Sequence, residues 1–377
     1  MPERLDRIRA AMAEAGLDAL LVGAAVEDMF GRHDDNRRYV SGFTGSTGWA
    51  LITPGRALFA ADFRYTEQAA REVTPYGFTV FPALGNSKDW WPKLFGEARL
   101  AGKKVGLSRA DTSLGAWLAL HERVATMPTL DRPELLPAPL IIETLRRRKD
   151  ASELLLLQRA IDIADQSFEA LLAMLTPQMT ELEAAALFEQ GVIERGAESI
   201  SFETIVAAGP QAAMPHAKPT SAALGHGRPI VIDMGAQYQH YCSDLTRTVV
   251  LGQPDAKFRE IYAIVFEAQQ HAIEHIESGM SGVAAHNLAQ DVIARHGYGE
   301  RFGHGLGHGI GMQVHESPYL GLSSEDTLEE GMVFTIEPGI YLPGWGGVRI
   351  EDIVVLDHGK ARVMSHAPKL TTAGATN

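Results

Sequence analysis

Apolar positions along the chain recur with two different periods, and the switches between them divide it. Leu5, Ile8 and Met12 follow helical spacing until Gly16, and the short apolar run at 19–22 then reads as a strand. Apolar stretches at 48–53 and 57–61 flank Pro54-Gly55 and predict a hairpin. A helix is predicted from Arg64, with further strands near 78–81 and 105–107. This alternation predicts one α/β domain over the first 130 or so residues. A proline-rich patch from Met127-Pro128 through Pro133, Pro137 and Pro139 then interrupts the periodicity, ahead of the charged cluster at 146–150. That shift places the domain boundary: residues 1–140 form the first domain and 141–377 the second.

In the second domain, Leu154, Leu157, Ala160, Ile161, Ala164 and Phe168 predict one long amphipathic helix, and 180–195 another. Strands follow. Residues 228–238 and 241–251 read as a hairpin, 258–276 and 283–296 as helices, and 332–341 and 347–356 as strands joined by a Gly/Pro turn. The expectation is an α+β domain built around antiparallel strands, ending in a frayed tail at 371–377.

The 377 residues, 45% hydrophobic and 21% charged, suffice for two cores, and no run approaches the roughly 18–20 apolar residues of a membrane span. A soluble protein with no membrane partner is expected. With 34 basic against 47 acidic residues the net charge of −13 repels a phosphate backbone, so nucleic acid is not expected as a partner. Cys242 is the single cysteine, which excludes an intramolecular disulfide, a four-cysteine zinc site and a C-x-x-C pair. The first residues mix acids and bases without an apolar core, predicting no signal peptide and a cytoplasmic location.

Histidine is unevenly spread. Of 14, only His33 and His121 fall within the first 150 residues, so the chemistry is expected in the second domain. Five segments there combine carboxylate or histidine with glycine or β-branched neighbours: VIDMGA, CSDLTRT, HGLGHGIGMQVHE, TIEPGIY and VRIEDIVVL. Asp233 follows the apolar run 229–232, and Asp244 lies on the partner strand of the same hairpin. Glu337 and Glu351 repeat the pattern in the later strands. Solvated or turn-capping roles suit most lone carboxylates, but burying four unpaired in apolar strands is too costly. Arg349 can pair with one of them, and two divalent cations would neutralise the rest. Oxygen ligands with one imidazole suit Mn²⁺, Co²⁺, Fe²⁺ or Zn²⁺ better than a thiolate site does. The imidazole comes from the glycine-rich run 303–311, with His304 and His308, or from His315 just beyond. These glycines permit close backbone approach and unusual φ/ψ. No G-x-G-x-x-G register or following G-K-[ST] supports a phosphate loop, and His315-Glu316-Ser317-Pro318-Tyr319 lacks the second histidine of an H-E-x-x-H helix.

The order Asp, Asp, His, Glu, Glu carried by VIDMGA, SDLTRT, GHGIG, TIEPGIY and VRIED resembles the creatinase/methionine-aminopeptidase superfamily of pita-bread metallohydrolases. The likeness covers the second domain almost throughout. The first domain is similar to the creatinase-type N-terminal α/β domain through residues 36–45, NRRYVSGFTG, and 62–67, DFRYTE. Those segments look most like X-Pro aminopeptidases (aminopeptidase P), whereas the second domain fits these and prolidases alike.

The resemblance implies a dinuclear centre, with Mn²⁺ the expected metal and Co²⁺, Zn²⁺ or Fe²⁺ as alternatives. Asp233 and Asp244 would hold one ion, His308 and Glu337 the other, with Asp244 and Glu351 bridging both. His216, in Met214-Pro215-His216-Ala217, matches a substrate-side histidine, His315 a second active-site histidine, and His304 a histidine lining the leaving-group pocket. Arg349 matches an arginine that orients a metal-binding acid. The implied reaction removes the N-terminal residue from peptides with proline second, by attack of a hydroxide bridging the metals. His216 and His315 would donate to the oxyanion, and Glu337, or another metal-bound carboxylate, would pass a proton to the departing nitrogen. Proline carries no N–H and a fixed φ, so such peptides need a dedicated pocket. An X-Pro dipeptidase (prolidase) is the near alternative; another enzyme chemistry or a binding protein on this fold is a more distant one, which intact ligands disfavour. The resemblance also implies a homodimer or higher oligomer.

Overall fold

The computed structural model of the protein describes residues 2–24 and 35–369; His33 and the tail expected at 371–377 lie outside the described residues. By internal contacts the chain divides into two compact units, Met1–Arg146 and Arg147–Asn377.

The first unit begins with α1 (Pro2–Glu14), which buries Leu5, Ile8 and Met12. It continues through β1 (Ala19–Ala24), α2 (Asp35–Ser41), β2 (Gly48–Ile52), β3 (Ala57–Ala61), α3 (Thr66–Val73) and β4 (Thr79–Pro82). α4 (Ser87–Glu97), β5 (Lys104–Ser108), α5 (Leu114–Ala125), β6 (Glu134–Ala138) and α6 (Ile141–Arg146) complete it. The strands form one sheet in the order β4-β3-β2-β1-β5-β6, antiparallel only at β1–β2 and β2–β3. Every residue of β2 and β3 is buried, as expected of a sheet covered on both faces. The proline-rich patch holds an element that its composition hides. β6 runs through Pro137 and is tolerated because it is an edge strand, where a missing N–H breaks no inner ladder. α4 was likewise unforeseen, since it contains Pro92 and two tryptophans. The segment 36–45 is tied into this unit: buried Asn36 donates to Glu143 (2.6 Å) and accepts from Arg146 (2.8 Å), and Arg37 donates to the Gly45 carbonyl.

In the second unit α7 (Ala151–Met174) and α8 (Glu181–Glu194) each start in a capping box, Asp150 with Glu153 and Thr180 with Glu183. They pack Phe168 and Phe188 against β8 (Ile205–Ala208), β9 (Ile230–Met234) and β12 (Leu245–Val249), following the two-residue strand β7 (Ser199–Ile200) and enclosing β10 (Ala236–Tyr238) and β11 (Tyr241–Cys242) in the chain order. A second helix pair, α9 (Ala256–His275) and α10 (Gly282–Arg295), buries Ile261, Val265, Ala289 and Ile293 against a five-stranded sheet. That sheet contains β13 (Gly307–Gly309), β14 (Glu316–Leu320), β15 (Val333–Ile336), β18 (Asp352–Asp357) and β19 (Lys360–Val363), in the order β14-β13-β15-β18-β19; β16 (Gly339–Leu342) and β17 (Gly346–Arg349) pair separately. All these pairs are antiparallel.

Both expected hairpins form, and both are broken in the middle. β9 pairs with β12, placing Asp233 opposite Thr246, and β10 pairs with β11; the ladder breaks at Gly235 on one side and at Ser243-Asp244 on the other. β15 pairs with β18 and β16 with β17, interrupted at Glu337-Pro338 and Ile350-Glu351. The expectation of four carboxylates inside continuous strands is therefore corrected: only Asp233 is in a strand, and the other three sit at the breaks. Pro338 has no N–H to continue the ladder. The glycine run is also more regular than expected. None of its glycines has a positive φ, and it contributes β13 to the sheet interior. A Cβ at Gly307 would lie 2.0 Å from the Thr335 carbonyl oxygen, so glycine serves close approach here.

After β19 the chain returns over α7, where the His366 N–H donates to Asp165 (2.6 Å). Burial pushes the Asp165 carboxyl up to about 6 from 3.8, against the opposing pull of the His366 N–H and Arg247. The native state thus binds more protons than the unfolded chain between about pH 4 and 6, and this contribution to stability is lost as pH rises through that window. Asp165→Asn, uncharged throughout, is expected to gain about 2 kcal/mol on the wild type between pH 4.5 and pH 7.5. Thermal unfolding of both proteins at the two pH values measures this, and a gap that does not change with pH would contradict it.

Candidate metal centre

The breaks in the two hairpins bring the acids together. Asp233 comes from β9, Asp244 from the bend before β12, Glu337 from the end of β15 and Glu351 from the turn into β18, while β13 supplies His308. Ligand-type atoms of Asp244, His308 and Glu351 all lie within 4.8 Å of one another. His308 Nε2 is 3.6 Å from Asp244 Oδ2 and 3.3 Å from Glu337 Oε1. Asp233 joins the group through Arg349, whose Nη2 donates to its Oδ2 at 2.5 Å. Asp244, His308 and Glu351 thus meet within 4.8 Å, with Glu337 beside His308 and Asp233 beside Arg349.

Their electrostatics show what is missing from the protein's own side chains. Burial, then the charges of Glu351, Asp233 and Glu337, raise Asp244 well above the carboxylate range; burial, then Glu337 and Asp233, do the same to Glu351. Burial also opposes ionisation of Glu337, but the hydrogen bond and charge of His308 outweigh it and hold this carboxyl low. Glu337 in return raises His308 despite its burial. Two buried oxygens, Asp233 Oδ1 and Glu351 Oε1, have no hydrogen-bond partner. Orphaned carboxylate oxygens among like charges are costly, and a divalent cation removes both penalties. Carboxylate oxygens with one imidazole form a donor set that fits such ions.

Hydroxyls and amides orient this set. Thr246 donates to Glu351 Oε2 (2.7 Å) and accepts from Arg349 Nε (3.0 Å). Thr335 donates to Glu337 Oε1 (3.0 Å) and accepts from the His308 N–H (3.1 Å). His308 Nδ1 lies 3.1 Å from the Gly309 carbonyl and donates to it, which turns Nε2 toward the acids. Arg349 is 3% exposed and also donates from Nη1 to the Tyr341 hydroxyl (3.0 Å) and to the Pro215 carbonyl (3.3 Å).

The remaining histidines gather around these groups. His304 Nε2 accepts from the Tyr341 hydroxyl (2.9 Å), and burial keeps its imidazole below the usual range. His315 lies against His308 with ring centroids 4.3 Å apart; burial first, and then His308, lower it too. His216 is exposed, follows the Pro215 held by Arg349, and contributes to the fields at both His304 and His315. Tyr341, Thr246 and Thr335 were not anticipated, although each stands in a segment the sequence marks. Nor was the buried pair of Lys149 with Glu316 (2.7 Å), which ties down the neighbour of His315. Lys149 reads in sequence as part of a charged boundary cluster.

Comparison with known proteins points to one family. The pattern of Metallopeptidase family M24 matches residues 156–358, and that of the Creatinase/Prolidase N-terminal domain matches residues 4–148. An uncharacterized peptidase of Bacillus subtilis, YqhT, is 38% identical over 366 residues, covering 97% of this chain and 98% of that one. The structure of an Xaa-Pro dipeptidase from Bacillus anthracis superposes with a TM-score of 0.89 at 38% identity, over 97% of this chain and 98% of that one. An X-Pro aminopeptidase from Thermotoga maritima does so with a TM-score of 0.86 at 34% identity, over 96% and 98%. The broken hairpins, the grouped acids and histidines and these matches lead to one conclusion: the chain belongs to metallopeptidase family M24, with a creatinase/prolidase N-terminal domain.

Proposed function

We propose that the protein is a metal-dependent X-Pro aminopeptidase, which removes the first residue from peptides with proline in second position. The observation that carries this reading is the complete donor set, Asp233, Asp244, His308, Glu337 and Glu351, with His216, His304 and His315 around it, in a chain similar over nearly its whole length to an X-Pro aminopeptidase. A dipeptidase acting only on X-Pro is the second reading. Its support is the Xaa-Pro dipeptidase of Pyrococcus horikoshii, 44% identical over 224 residues that cover 59% of this chain and 64% of that one, together with the Bacillus anthracis structure.

In this reading Asp233, Asp244, His308, Glu337 and Glu351 would hold two divalent ions; Mn²⁺ is the proposed metal. Such ions supply Lewis acidity and a water acidified toward neutral pH. The chain's own groups do the rest. His315, held neutral at physiological pH by burial and by His308, offers an N–H to the carbonyl oxygen as negative charge develops there, and His216 offers another. Thr335 donates to Glu337 Oε1, and this carboxylate, or another held at the centre, passes the proton to the departing proline nitrogen. Arg349 keeps Asp233 and Tyr341 in place, and Tyr341 in turn fixes His304, whose neutral ring lines the side of the leaving group. We further propose a cytoplasmic homodimer or higher oligomer. Among the described residues no helix is long and apolar enough to cross a membrane.

Two experiments test this. Mn²⁺-loaded protein incubated with Ala-Pro, Ala-Pro-Ala and a longer Ala-Pro peptide, beside a chelated control, is expected to release alanine from the tripeptide and the longer peptide, read by mass spectrometry. Cleavage of the dipeptide alone would make the protein a prolidase, and no cleavage at all would assign the fold to other chemistry. Among variants, Asp244→Ala is expected to lose metal and activity together. His315→Ala should keep its metal while turnover falls by about 10²- to 10³-fold. Full activity with metal retained in Asp244→Ala would refute the ligand assignment.

A further inference from the structure

We propose that Arg247 is a positioning residue for Glu351, and that the chain segment 364–369 completes this support from behind the metal centre. The inference rests on the metal-site reading above. Arg247 lies on β12 between Thr246 and Thr248, is 1% exposed, and spends all five of its N–H groups on three separate stretches of chain. Nε and Nη2 donate to the Ala367 carbonyl (3.2 and 2.8 Å), and Nη2 also to Asp352 Oδ1 (2.8 Å). Nη1 donates to the Thr246 carbonyl (3.0 Å) and to the carbonyl of Glu351.

The consequence for Glu351 is specific. Its backbone is held at both ends, the N–H donating to the Thr246 carbonyl (3.1 Å) and the carbonyl accepting from Arg247. Its side chain is held at one oxygen only, Oε2, by the Thr246 hydroxyl. Oε1 remains buried and without a partner, in a carboxylate grouped with Asp244 and His308. Arg247 thus fixes the backbone from which that free oxygen is presented. A planar guanidinium is required, because an ammonium cannot reach acceptors spread over three segments at fixed angles. Asp352 in turn orients the fork, itself accepting from Ser365 Oγ (3.1 Å), Gln269 Nε2 (3.0 Å) and Lys369. Ser365, Ala367 and Lys369 all belong to the returning C-terminal segment, which is how its docking reaches a metal ligand.

The test uses full-length Arg247→Lys and Asp352→Asn, stripped of metal and titrated with Mn²⁺ by calorimetry. Both are expected to bind Mn²⁺ about 10- to 100-fold more weakly than the wild type. Peptidase turnover should recover at saturating Mn²⁺, so that the metal dependence moves and kcat stays near the wild-type value. A role in folding alone would lower Tm in chelator and leave Mn²⁺ affinity unchanged, and that result in a folded variant overturns the proposal. If Arg247→Lys does not fold, Asp352→Asn, which preserves shape, carries the same comparison. Wild-type protein that binds no Mn²⁺ would instead overturn the metal-site reading on which the inference rests.

Discussion

The architecture of the second unit is governed by the repulsion among four carboxylates, Asp244 and Glu351 buried and Asp233 and Glu337 partly so. Asp233, Asp244, Glu337 and Glu351 come from four places in the chain, and each raises the energy of ionising another. The arginine within reach, Arg349, is tied to Asp233, and His308 serves Glu337. Asp244 and Glu351 are left with little positive charge of their own. Without cations Asp244 and Glu351 are driven to stay protonated; bound cations would let them ionise, and would stabilise the folded site as well as serve its chemistry.

That demand accounts for the broken hairpins. A continuous antiparallel ladder alternates its side chains between two faces and cannot turn several acids toward one point. Breaks at Gly235, Ser243-Asp244, Glu337-Pro338 and Ile350-Glu351 release the backbone where the acids stand. The freed groups are taken up by threonines: Thr248 exchanges hydrogen bonds with the backbone of Arg349, while the Thr246 carbonyl accepts from the Glu351 N–H. One helix pair behind each set of strands keeps the two hairpins rigid.

Much of this was legible in the chain itself. Carboxylates in or beside apolar runs are costly enough to advertise a binding partner, and that signal alone picks out Asp233, Asp244, Glu337 and Glu351. The helices 151–174 and 181–194 announce themselves through apolar periodicity, and the structure adds a capping box to the start of each. What stayed hidden depends on contacts between distant segments. Thr246 and Glu351 are separated by 105 positions, and nothing local in DLTRT says that its threonine orients a glutamate. Tyr341 reads as an ordinary strand residue until its hydroxyl is found between His304 and Arg349. Lys149 reads as part of a charged boundary cluster and proves to be buried beside Glu316. The strand at 134–138 was masked by its prolines, and β13 by its glycines, because both residue types suggest irregular chain wherever pairing is not known.

The most direct test of this account is calorimetric unfolding of the protein as isolated, after exhaustive chelation, and after Mn²⁺ is restored, all at pH 7.5. The account predicts that Tm falls on stripping and returns with Mn²⁺, rising further with the logarithm of its concentration as ligand linkage requires. An unchanged Tm in protein shown to be free of metal would mean that the four acids are stable together unaided, which would contradict the central claim.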